Sequence, residues 1–134
     1  WFLPRLVGMQ TALEWCMTGR IFDAREALDR GLVRSLYAPA ELMDAARGLA
    51  REIADNTSAV SVAMTRAMLW RLSTEPHPMM AHRIDSRSIY RLSRSRDARE
   101  GVQSFLEKRP PAFPDRVSED MPDFYPWWDE PGYA

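Results

Sequence analysis

Lysine is all but missing from this chain: of eighteen basic residues, seventeen are arginine and one is Lys108. A bias of that strength reflects the base composition of the gene more than a demand for guanidinium chemistry, so the arginine count carries little functional weight. Cysteine is as scarce. Cys16 has no second thiol to pair with, and its place among Ala12, Leu13 and Met17 predicts a small buried hydrophobe in a reducing, cytoplasmic setting. His77 and His82 stand five apart. That misses the i, i+4 spacing with which a helix presents two imidazoles to one metal, and no metal is expected. The six glycines form no phosphate-cradling loop, no serine lies in a Gly-x-Ser-x-Gly elbow, and Cys16 has no base beside it, so nucleophilic catalysis has no candidate. No apolar run reaches the ~18–20 residues of a membrane helix. A net charge of -1 offers no bulk attraction to nucleic acid or to an anionic bilayer. Neither membrane nor nucleic acid is expected as a partner.

What the chain does hold is apolar material for a core, 46% of 134 residues, the size of one domain. Its spacing is helical nearly throughout and predicts an all-α chain. Met9, Ala12, Leu13, Cys16 and Met17 recur at three and four residues and stop at Gly19. Asp23 with Glu26 forms a variant capping box, and Gly31 suits the left-handed residue that ends a short helix. Leu32, Val33, Leu36 and Tyr37 predict a brief extended piece before Pro39, whose fixed φ suits the first turn of the next helix. Leu42, Ala46, Leu49, Ala50 and Ile53 form one apolar stripe. Beyond Asn56-Thr57-Ser58, a second stripe of Val60, Met64, Ala67, Met68 and Leu72 predicts an antiparallel hairpin with the first. Pro76-His77-Pro78 opens a further helix reaching about Arg94.

A second Asp-Ala-Arg-Glu, at 97–100, predicts a repeat of the early cap on a helix ending near Leu106. Arg83, Arg87, Arg91 and Arg94 share one side of the preceding helix; a solvated, salt-bridging face is favoured over a phosphate-binding stripe. Glu14, Glu26, Glu52 and Glu100 read as cap or helix-face residues, and none is assigned as an acid or base. Six of the ten prolines fall between Pro110 and Pro131, among Phe124, Tyr125, Trp127, Trp128 and Tyr133. The segment 114–134 is therefore expected to lack regular structure. It either docks its indoles across a subunit interface or orders only against a partner.

Four segments in one order carry a resemblance: LPRLVG (Leu3 to Gly8), TGRIFDAREALDRGLV (Thr18 to Val33), LMDAARGLAREIADN (Leu42 to Asn56) and DAREGVQSFLEKRPPAF (Asp97 to Phe113). Together, residues 1–113 resemble the carboxy-terminal part of the crotonase (enoyl-CoA hydratase/isomerase) superfamily. The resemblance implies the helical, oligomerising end of a ββα-superhelix enzyme acting on acyl-CoA thioesters, by hydration or isomerisation of an enoyl-CoA. A thioester carbonyl would be polarised by two backbone N–H groups, an enolate formed, and protons moved by glutamate. It places those elements upstream of Trp1, leaving no catalytic residue here and an inactive isolated chain.

The same resemblance sets Lys108 against the phosphates of coenzyme A, Ile89 and Tyr90 near its adenine, and Trp1 and Phe2 at the edge of the acyl pocket. Coenzyme A enters as part of the substrate, with no tightly bound cofactor. Because the family's lysine commonly serves a neighbouring subunit, a homo-oligomer, trimer or hexamer, is implied. The rival is a non-catalytic α-helical oligomerisation or interaction module from a split gene; a helix-turn-helix nucleic-acid binder ranks last.

Overall fold

The computed structural model describes residues 1–130 and 132; Tyr133, counted above with the tail aromatics, lies outside the described residues, as do Pro131 and Ala134. Helices α1 (Leu3–Thr18), α2 (Ala24–Asp29), α3 (Leu42–Asn56), α4 (Ala59–Leu72), α5 (Met79–Leu92) and α6 (Arg96–Glu107) follow in order, with no strand among the described residues. Two compact units hold them, Trp1–Gly48 and Leu49–Ala134, and α3 runs from one into the other. No helix is long and apolar enough to cross a membrane.

In the first unit, Trp15 organises the packing. Its ring stacks on Phe22 with centroids 3.9 Å apart, and its indole N–H donates to Glu26 Oε1 at 2.9 Å. Glu26 in turn receives Arg20, which also bridges to Glu14 at 2.9 Å. The expected cap is present: Asp23 accepts the Glu26 N–H at 2.8 Å. Gly31, at φ 79, closes α2 in a Schellman arrangement, with Leu32 N–H to Ala27 O at 2.8 Å and Gly31 N–H to Leu28 O at 3.0 Å. Gly19, left-handed at φ 61, ends α1 where expected.

The buried face of α1 is Thr11, Ala12 and Trp15, and this corrects the stripe read from the sequence. Met9, Leu13 and Met17 are exposed, Met17 at 82%, and Cys16 is exposed as well. The large Trp15, whose N–H needs an acceptor, turns its own side of the helix toward Glu26, and the methionine side faces out. Residues 32–38 form bends and irregular coil and no extended strand. Pro39 lies in the turn that leads into α3, where Ala38 O accepts from Glu41 and Leu42.

In the second unit α4 packs on α5. Val60, Met64 and Ala67 bury their side chains, and Ile84 and Ser88 do so from α5. Four such apolar side chains, at roughly 1.5–3 kcal/mol for a fully buried large one, are a thin core. The predicted α3–α4 hairpin does not form: α3 has no buried residue, and Leu42, Leu49 and Ile53 are 52%, 40% and 44% exposed. Asn56 and Thr57 bond back to the carbonyls of Glu52 and Ile53, while Ser58 caps α4. The short connection is thus used up in ending one helix and starting the next, whereas 73–78 reverses the chain and brings α5 onto α4.

The second Asp-Ala-Arg-Glu does not repeat the cap. Ser95 caps α6, accepting from Ala98 N–H at 3.0 Å, so Asp97 falls inside the first turn and is buried. It exchanges bonds with the tail: Asp115 N–H donates to Asp97 Oδ1 at 2.8 Å, and Asp97 N–H to Asp115 Oδ2 at 3.2 Å. Arg96 adds Asp115 at 2.7 Å and Asp120 at 3.0 Å. Among the described residues the tail has no helix or strand, as expected, and its side chains meet residues of its own chain. Arg87 of α5 covers the Phe124 ring at 4.3 Å, Arg71 of α4 covers Trp128 at 4.4 Å, and Arg71 pairs with Glu130 at 2.6 Å. Trp127 and Trp128, half-buried, meet edge to face. Cation–π contacts and ion pairs with arginines of its own chain tie these tail residues to α4, α5 and α6.

Two consequences are measurable. Asp97→Ala strips Asp115 N–H of its acceptor, and urea unfolding should show a loss of about 2 kcal/mol with earlier exposure of Trp127 and Trp128 to quencher. Glu26 sits at about 2, below the ordinary 4.5, held down by Arg20 and then by the Trp15 N–H. A folded-state value below the unfolded one means the network stabilises fully above 4.5 and fades as pH falls from there to about 2. The melting temperature should drop across that window, and Glu26→Gln should flatten the drop.

Candidate functional site

At the end of α6 the backbone does something only glycine does cheaply. Lys108 is left-handed, φ 53 and ψ 41, and is the one non-glycine residue with positive φ among those described. An L side chain there costs roughly 1–2 kcal/mol. Two backbone bonds close the helix around it, Lys108 N–H to Phe105 O at 3.3 Å and Arg109 N–H to Ser104 O at 3.1 Å.

The next residue clamps the turn. Arg109 makes a bidentate fork on Glu100, at 2.6 and 2.9 Å, and its Nε reaches Glu107 at 2.6 Å. Ala112 N–H adds a bond to Glu100 at 2.7 Å. Arg109, followed by Ala112, holds Glu100 down to about 2; Gln103, followed by Arg109, lowers Glu107. Both carboxylates are thereby committed to Arg109. The exposed Lys108 ammonium carries no hydrogen bond or ion pair among the described residues. A cation with its local counter-charges already engaged, on a fixed backbone, suits an external anion such as a phosphate.

Ile89 and Tyr90 lie in the last turn of α5, 62% and 66% exposed. They open on different clefts. Ile89 lines one of ≈ 540 Å³ with Met64, Met68 and Phe113, and Tyr90 lines one of ≈ 420 Å³ with Arg87, Arg91 and Phe124. Lys108 lines neither. The Tyr90 ring carries the Arg94 guanidinium, 3.6 Å from the ring centroid. With Arg87 and Arg94 on aromatic rings, the arginine side of α5 is organised by cation–π contacts more than by salt bridges. In the first unit, Trp1 and Phe2 meet edge to face at 4.8 Å ahead of α1, each 59% exposed, with Arg5 over the Trp1 ring at 3.9 Å.

Glu26 and Glu100 are both held low by their arginine partners, in keeping with their reading as cap and helix-face residues. The Arg109 clamp escaped the sequence analysis, because a nine-residue gap across a helix end has no periodic signature.

Residues 1–116 match the family model for enoyl-CoA hydratase/isomerase. An enoyl-CoA hydratase of Alternaria alternata is 40% identical over 119 residues, covering 88% of this chain and 40% of its own length. The carnitinyl-CoA dehydratase of Salmonella agona is 33% identical over 118 residues, covering 85% and 44%. The crystal structure of an enoyl-CoA hydratase from Bacillus anthracis superposes with a TM-score of 0.78 at 28% identity, covering 83% of this chain and 42% of that one. The chain thus spans about two fifths of the length of these relatives.

Relief of the left-handed strain predicts a gain. Lys108→Gly should raise stability by about 1 kcal/mol in urea unfolding, while Lys108→Ala, which keeps the strain, should change it by less than about half of that.

Proposed function

The chain belongs to the enoyl-CoA hydratase/isomerase family, and we propose that it is the helical, oligomer-forming carboxy-terminal part of an enzyme that hydrates or isomerises enoyl-CoA thioesters. Two backbone N–H groups polarise the thioester carbonyl and stabilise the enolate, and glutamate carries the protons. These groups belong to a portion of the enzyme other than these 134 residues, in keeping with the share of its relatives that the chain covers. The helices here wall the acyl pocket, with Trp1 and Phe2 at its edge, and assemble subunits as a trimer or hexamer. The apolar residues Val102, Phe105 and Leu106 on α6, 63%, 81% and 73% exposed, are the natural contact surface. A cytoplasmic setting, where Cys16 stays a thiol, belongs to the same proposal.

Lys108 carries the proposal. Its backbone is held left-handed by the Arg109–Glu100 clamp, and its ammonium is left for the phosphates of coenzyme A, which is bound as part of the substrate. Tyr90, or Ile89 beside it, provides a surface for the adenine.

The test is steady-state kinetics of Lys108→Ala in the enzyme assembled with its catalytic portion. KM for crotonyl-CoA should rise about tenfold, the equivalent of ~1.4 kcal/mol, with kcat within about twofold. The N-acetylcysteamine thioester, which has no phosphates, should be turned over equally by both enzymes. An unchanged KM for crotonyl-CoA removes Lys108 from the site. The 134-residue chain alone should leave crotonyl-CoA unhydrated; hydration by it would put the catalytic groups within these residues.

A further inference from the structure

We propose that the tail turn at 122–125 is a wall of the adenine surface, where Asp123 accepts from the exocyclic amine of the base. This rests on the reading of Tyr90 as the residue against which the adenine lies. The turn is anchored at three points. Pro122 is fully buried, Tyr125 N–H donates to Pro122 O at 2.9 Å, and Arg87 of α5 covers the Phe124 ring at 4.3 Å. Asp123 and Phe124 are thereby the central pair of a β-turn. Both line the ≈ 420 Å³ cleft that Tyr90 lines from α5, a volume of small-molecule size. The turn lies beyond residue 116, where the family match ends.

The lining of the cleft says what the turn contributes. From α5 come Ser86, Arg87, Tyr90 and Arg91, which supply donors and a ring but no anionic acceptor. Asp123 is the one carboxylate on the cleft among the described residues, and it is exposed. Neither its side chain nor that of Arg91 has a hydrogen bond or ion pair among the described residues. A free acceptor and a free donor thus share one cleft with an aromatic side chain. An ionised carboxylate accepts and never donates, and a guanidinium does the reverse. Adenine matches both, with a donor at its exocyclic amine and acceptors at its ring nitrogens. Hypoxanthine has a carbonyl oxygen in place of that amine and meets Asp123 acceptor to acceptor, a mismatch that a hydrogen-bonding site rejects. The cleft therefore favours adenine over its deaminated analogue, and the residue that selects is on the tail.

Calorimetry on the enzyme assembled with its catalytic portion, titrated with adenosine 3′,5′-bisphosphate and with inosine 3′,5′-bisphosphate, reads this selection without turnover. The adenosine compound should bind about fivefold more tightly. Asp123→Asn offers an amide N–H as readily as a carbonyl and should bring the two affinities within about twofold of each other. Because a ratio is read, the charge lost in that variant cancels. Tyr90→Ala, run beside it, should weaken both nucleotides about tenfold. Equal affinities in the unaltered enzyme, or a fivefold preference that survives in Asp123→Asn, overturn the wall; if Tyr90→Ala still weakens both nucleotides, the adenine surface stands without it. Affinities that Tyr90→Ala leaves unmoved remove the adenine surface, and the wall with it.

Discussion

The fork of Arg109 on Glu100 is the contact from which the end of α6 takes its form. It ties the residue after the helix to its middle, recruits the Ala112 N–H to the same carboxylate, and holds the chain in the turn that makes Lys108 left-handed. A helix can end in many ways. This one ends with a charged residue in a conformation that a charged residue does not choose, and two acidic neighbours that would quench the charge are occupied elsewhere. Position and electrostatics come largely from one arginine.

The same tetrapeptide appears in both units and shows how far a local motif reaches. In Asp23-Ala24-Arg25-Glu26 and Asp97-Ala98-Arg99-Glu100 the glutamate does comparable work: each takes an arginine fork, from Arg20 or Arg109, and each is driven to about 2. The aspartates part company. Asp23 caps its helix; Asp97 does not, because Ser95 takes that place two residues earlier. What an aspartate at a helix start does depends on whether the residues before it leave the cap open.

Helix positions were largely legible in the sequence, since Gly19, Gly31, Asp23 and the Pro76–Pro78 pair are local signals with local outcomes. Which face of a helix is buried was not. In α1 the periodic Met9, Leu13 and Met17 looked like the core, yet Trp15 with its N–H to Glu26 set the packed side. In α3 no residue of a regular apolar stripe is buried, because amphipathicity states that a face will be covered and not by what. Membership of the enoyl-CoA hydratase/isomerase family was readable from four ordered motifs and is matched over residues 1–116. Residues joined across long gaps, Asp97 to Asp115 and Arg71 to Glu130, were not readable, as no spacing rule links them.

Gly8 deserves its place in α1 for a mechanical reason. At φ 79 and ψ 158 it stands in a region open to glycine alone and interrupts the helix between Val7 and Met9. The stretch before it bears Trp1 and Phe2, and the stretch after it bears Trp15. A continuous helix is a stiff lever, and a force on one end would bend or twist the other. With the ladder broken at Gly8, the leading aromatics and the Trp15–Glu26 anchor stand on two helical stretches joined through the dihedrals of one residue.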